Sequence, residues 1–158
     1  MLRTIAAAAI LCLLPTTLSA QSKVNCKTTA FGKGCGPVLT ATVAPNKGHA
    51  NKHFTHVLTL KTTNAPKLSL GLVIIGDSIQ KEGWKLPFMK CNVLINVLGH
   101  AVVRSNKAST SSTALRFKAV DGLKIHFQEM WFIFNPGKKG GVSAVNSNGM
   151  TLTCAKAK

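Results

Sequence analysis

From residue 38 to the C-terminus, apolar side chains recur at every second position or in short unbroken runs. No window there shows the three-and-four spacing of an amphipathic helix. Residues 54–62 set Phe54, Leu58 and Leu60 on one parity and Thr55, Thr59 and Lys61 on the other, as a half-buried strand requires. Residues 113–120 alternate likewise, with Leu115, Phe117 and Ala119 against Arg116 and Lys118. The stretches 39–44, 91–98, 125–134 and 151–154 add further strand-compatible runs, and 68–75 is nearly all apolar, which suits a strand covered on both faces. Turn-forming residues punctuate these runs at Pro45-Asn46-Lys47-Gly48, Asn64-Ala65-Pro66, Gly76-Asp77-Ser78, 105–112, Asn135-Pro136-Gly137 and 146–149. Short strands, short turns and no crossover helix predict an all-β chain, a single antiparallel β-sandwich of immunoglobulin-like or jelly-roll-like type.

The N-terminal segment has a different pattern. Arg3, an apolar run over 5–14, Pro15 and a small-residue end at Leu18-Ser19-Ala20 have the layout of a secretory signal peptide, a helical leader removed after Ala20. The run is too short to span a bilayer, and no later stretch is long enough. Cys12 follows Leu11, too bulky for lipoprotein processing at that cysteine. Residues 21–158 then form one domain, long enough to bury a core of its own. It keeps Cys26, Cys35, Cys91 and Cys154, an even number, which in an exported protein predicts two disulfides with three possible pairings. No close Cys-x-x-Cys pair suggests a zinc site.

The chain carries 20 Lys+Arg against 4 Asp+Glu, a formal net charge of +16. Such a surface attracts polyanions: acidic polysaccharide, lipopolysaccharide, nucleic acid or an anionic membrane face. The cations are dispersed rather than gathered in one run, a pattern that serves solubility equally well, and no specific nucleic-acid motif is present.

Few side chains suggest catalysis. The stretch "GLVIIGDSIQ", residues 71–80, resembles the strand and nucleophile turn of a GDSL-type (SGNH) hydrolase, with Ser78 as the nucleophile. That chemistry needs a histidine base oriented by an acid, and donors for an oxyanion. Downstream of Ser78 the acids are Glu82, Asp121 and Glu129 and the histidines His100 and His126, and neither the Asp-x-x-His nor the Gly-x-Asn-Asp element of that family occurs. Glu82 and Glu129 are the only glutamates, which makes a glycosidase pair a poor expectation. His49, His53 and His56 could ligate copper or zinc, but three-residue spacing in a strand turns His53 and His56 to opposite faces. No metal or other cofactor is therefore expected. Trp131 lies among Phe127, Phe132, Ile133 and Phe134 and reads as core, whereas Trp84, between Lys81 and Lys85, reads as a surface aromatic able to contact a ligand.

The ordered pieces "FGKGCG" (31–36), "TTNAPKLSLGLVIIGDS" (62–78), "WKLPFMKCNVLINV" (84–97) and "FQEMWFIFNPGKKGGVSAVNSNGMTL" (127–152) resemble an exported β-sandwich domain family abundant in planctomycete-type and related bacteria. The resemblance implies that Gly76 and Ser78 merely end a buried strand, and it transfers no catalytic residue. It also implies a Cys35–Cys91 disulfide, since those are the two cysteine positions the family shares. Cys26 is then left to Cys154, which would clamp the two chain ends. This chain departs from the family in its lysine content and in spreading the usual Gln-aromatic pair over Gln128, Glu129, Met130 and Trp131. The expectation is a secreted, non-enzymatic β-sandwich (extracellular, cell-surface or periplasmic) with a structural or binding role against anionic polysaccharide or other polyanions. The alternative is a small hydrolase using Ser78.

Overall fold

Alternation in sequence becomes two-sided burial in the strand His56–Thr63 (β3), where Leu58, Leu60 and Thr62 are buried and Lys61 and Thr63 exposed. The computed structural model describes residues 24–47, 53–135, 137 and 141–157. The proposed leader, 1–20, lies outside them. Seven further strands surround β3: Val24–Phe31 (β1), Val38–Pro45 (β2), Leu70–Trp84 (β4), Val93–Arg104 (β5), Ser111–Phe117 (β6), Lys124–Phe134 (β7) and Val142–Lys156 (β8). A five-stranded sheet has the order β1-β8-β7-β4-β5 and a three-stranded sheet the order β2-β3-β6, with every strand ladder antiparallel. The protein is an all-β, antiparallel β-sandwich.

The layer between the sheets is filled by Leu39, Leu58 and Leu60 from the smaller sheet and by Val73, Val103, Phe127, Trp131 and Leu152 from the larger. Trp131 is fully buried, as its aromatic surroundings in the sequence predict. Gly71 makes room for it, since a methyl there would sit 2.7 Å from the indole ring. Cys26 faces Cys154 across the β1–β8 ladder and is bonded to it, tying the described ends of the chain together.

Successive residues of a strand point to opposite faces, so Ile74 and Met130 lie on the far side of the larger sheet from Val73 and Trp131. There a second apolar cluster gathers Ile74, Met89, Val93, Ile95, Met130 and Ala144. The middle of the apolar run 68–75 is thus covered on both faces, although Leu68 and Leu70 at its start are exposed.

Two expected turns lie inside strands. Gly76-Asp77-Ser78 does not end the buried strand, because β4 continues to Trp84 through register breaks at Ile75/Gly76, Gly76/Ile79 and Ile79/Trp84. These breaks bend the β4–β5 hairpin so that its distal half folds over the outer face of the larger sheet. Gly76 sits at the bend, and a Cβ there would collide with the backbone carbonyl of Asn96. Residues 146–149 likewise belong to β8, where Ser147 and Asn148 together oppose Glu129 alone. This is a β-bulge, built from residue types that otherwise mark turns. The strand β1 carries little periodic signal, because half of VNCKTTAF is polar and none of its residues is fully buried. Phe54 is exposed and precedes β3 rather than joining its buried parity.

Candidate functional site

Under the folded-over hairpin lies a hub of buried polar groups. Gln128 Oε1 accepts the Leu94 N–H at 2.7 Å, and Nε2 donates to the Ser147 carbonyl at 2.9 Å and to that of Asn92 at 3.4 Å. Asn146 Nδ2 donates to the carbonyls of Asn92 (3.0 Å) and Cys91 (3.3 Å), and the Asn146 carbonyl accepts the Cys35 N–H at 2.9 Å. Cys35 and Cys91 are joined in the same place, so both cysteine pairs of the resemblance are at bonding distance. The connection after β4 adds a parallel bridge from Met89 to Ala144. Buried polar groups are tolerable only when hydrogen-bonded, and these bonds lock the hairpin to the sheet. Among the described residues Asn146 Oδ1 alone is buried without a partner.

On the other face of β7, Glu129 is buried between the sheets. It accepts from Thr62 Oγ1 at 2.5 Å and from Trp131 Nε1 at 3.0 Å. Burial pushes its carboxyl above the usual carboxylate range, and the two hydrogen bonds oppose this only in part. Beside the bend, His126 is buried with Nδ1 2.9 Å from Thr151 Oγ1 and its ring edge-on to Phe31. Burial, and next the charge of Lys124, push His126 below its ordinary value, while Asp77 acts the other way.

The Ser78 hydroxyl is exposed and donates to Asp77 Oδ1 at 2.9 Å, and Asn96 Nδ2 donates to the same oxygen at 3.2 Å. These two bonds hold the Asp77 carboxyl below its usual range and pin the bend. Through Asp77 the Ser78 hydroxyl and the Asn96 amide are joined into a staple between β4 and β5. Trp84 ends β4 and is 54 % exposed, with Lys81 and Lys85 exposed on either side. The hairpin thus presents all three to solvent. His49 lies outside the described residues. His56 Nδ1 is 3.0 Å from Thr55 Oγ1 and its ring rests against Phe117, while His53 is exposed in the turn before β3. Among the described residues no three His, Cys, Asp or Glu side chains gather at metal-binding distance.

The outward face of the three-stranded sheet has a different chemistry. Register sets Thr42, Thr59 and Ala114 in one row and Thr40, Lys61 and Ser112 in the next. A depression of about 700 Å³ touches Thr42, Asn46, Lys47, Thr59 and Arg116 on this face, and another of about 310 Å³, at the edge where the connection from β5 crosses to β6, touches Lys61, Thr63 and Ser112 together with the buried Thr62 and Ser111 and with Arg104 at the end of β5. Neither β2, β3 nor β6 contains a carboxylate; Asp77 and Glu82 lie in β4, Glu129 in β7 and Asp121 in the β6–β7 connection. In the sequence Thr59, Lys61 and Arg116 read only as the wet side of their strands, and none of the face residues reads as a binding residue.

No family model matches the chain, and neither a curated protein nor a solved structure matches it.

Proposed function

We propose that the protein is an exported, non-enzymatic β-sandwich module that binds anionic polymers, such as acidic polysaccharide or lipopolysaccharide. The observation that carries this reading is charge that the chain cannot neutralise by itself. Were every carboxylate paired, an excess of +15 would remain once the proposed leader with Arg3 is removed, and one of the four, Glu129, is buried in the core. Uncompensated surface cations attract polyanions over about a Debye length, roughly 10 Å at 0.1 M salt. Two cysteine pairs at disulfide distance are compatible with an oxidising compartment, and no helix among the described residues is long and apolar enough to cross a membrane.

Membership of the exported domain family is part of the proposal. Three of the four sequence pieces that carry the resemblance, 31–36, 84–97 and 127–152, meet at the hub, where they supply Cys35, Cys91, Gln128, Asn146 and Ser147. A non-enzymatic role is supported by Ser78, whose hydroxyl is directed at Asp77.

The protein should be retained on heparin resin at low salt and released by moderate salt. Flow-through at low salt would contradict the reading and leave the lysines as a solubility device. A serine-directed fluorophosphonate should leave Ser78 unlabelled; stoichiometric labelling abolished by Ser78→Ala would replace this reading with a hydrolase.

A further inference from the structure

We infer that the outward face of the three-stranded sheet is the binding site, and that it takes a linear polysaccharide bearing sulfate or carboxylate groups. This inference rests on the polyanion-binding reading above and locates it. The two depressions follow one another along β3. Thr59 lies in the first and Lys61, the next residue on the same face, in the second. From Val57 to Thr63 the strand advances about 20 Å at about 3.3 Å per residue, the shape of a trough for an extended chain.

Its chemistry is complementary to such a polymer. Lys47 and Lys61 supply positive charge along the trough, Arg104 at the end of β5 in the larger sheet borders its second depression, and Thr42, Thr59 and Ser112 supply hydroxyls between them. All four carboxylates of the chain lie off the three strands, so an anionic polymer meets no like charge on them. Both ends of the trough are held in place. Asn46 Nδ2 donates to the Phe54 carbonyl at 3.0 Å, and Asn106 closes its turn through Thr110 at 2.8 and 3.0 Å. A site fixed before binding loses less entropy when it is occupied. The outward residues of β2, β3 and β6 include no aromatic side chain. Single-stranded nucleic acid is held by base stacking on aromatics within a basic groove, so this face favours a polysaccharide. The exposed Trp84 lies at the hairpin tip, on the other sheet.

Two variants of equal charge change separate a site from a general field. The full chain carrying Lys61→Gln and Arg104→Gln is compared with one carrying Lys81→Gln and Lys85→Gln. All four positions are exposed, so both variants should keep the parent's fold, checked by circular dichroism. Binding to heparin is measured by titration over a salt series, with single-stranded homopolymeric DNA as competitor. The trough variant should lose affinity roughly tenfold, as two exposed ion pairs allow, and its salt slope should fall by about 1 to 2. The tip variant should lose less than about twofold. Equal losses in both variants would overturn the site while leaving general polyanion binding intact. Failure of the parent to bind heparin at low salt would overturn the reading on which the site rests. Homopolymeric DNA that binds as tightly as heparin, with the same dependence on Lys61 and Arg104, would overturn the polysaccharide assignment.

Discussion

The two sheets of this sandwich use polar side chains in opposite ways. In the five-stranded sheet Gln128, Glu129, Asn146 and Ser147 are fully buried, and each holds backbone or side chains of the same molecule. In the three-stranded sheet the polar residues Thr40, Thr42, Lys61, Thr63, Ser112 and Arg116 are exposed on one outward face. The larger sheet holds three of the four carboxylates within its strands, the smaller none. Buried polar groups build a shape, whereas exposed ones such as Lys61 and Ser112 face solvent, where a ligand can meet them. Substitutions of the buried polar groups in the larger sheet should therefore cost stability, and those along the trough, Arg104 at the end of β5 included, should cost binding.

The sharpest break of that division is covalent. Removing the Cys26–Cys154 bridge as Cys26→Ser with Cys154→Ser opens a loop with a sequence separation of 128 residues. Loop entropy puts the loss at about 5 kcal/mol, read by denaturant unfolding. A loss below about 1 kcal/mol would show that the terminal clamp is dispensable. Gln128→Leu comes next. It leaves the buried Leu94 N–H and the Ser147 carbonyl without that partner, at a cost of about 3 kcal/mol, whereas Lys61→Gln on the other sheet should stay within about 0.5 kcal/mol. At the bend, Gly76→Ala forces a methyl against the Asn96 carbonyl and should cost about 2 kcal/mol. Ser78→Ala, two residues on and exposed, should cost no more than about 0.5 kcal/mol; the reverse order would mean that the bend is held by its hydrogen bonds rather than by close backbone approach.

The strands of the smaller sheet were the most legible, because Leu58 and Leu60 alternate with Thr59 and Lys61 and only one of their faces is dry. The bend of β4 and the bulge of β8 were not, because glycine, aspartate, asparagine and serine serve turns and distorted strands alike. Local sequence does not say whether the chain reverses or merely bends. Nor was the hub visible, since Gln128 and Asn146 find partners in segments far away in sequence. The cysteine pairing followed from a resemblance rather than from spacing. Of the candidate contacts, Trp84, Lys81 and Lys85 are exposed as expected, but the trough was missed: its threonines form a surface only once β2, β3 and β6 lie side by side.

The smallest expected effect is a dependence on pH. Burial holds Glu129 above its ordinary value near 4.5, so the folded chain binds that proton more tightly than the unfolded one. The stability this group contributes is full below that value and is lost as pH rises through the folded-state pKa. His126 has the opposite sign. With its pKa lowered from 6.5, its contribution is full above that value and is lost as pH falls below it. Thermal melts of Glu129→Gln from about pH 4 to about pH 8 should show a flatter profile than the parent, with the variant gaining at the neutral end. An unchanged profile would mean that Glu129 titrates as it does in the unfolded chain.

Amide hydrogen exchange of the full chain with and without heparin measures directly which sheet meets the polymer. Added protection should fall on β2, β3, β6 and the turns at Asn46 and Asn106, while β7 and β8 keep the exchange rates of the free protein. Protection centred on the hairpin around Trp84, or spread evenly over both sheets, would contradict the division of roles between them.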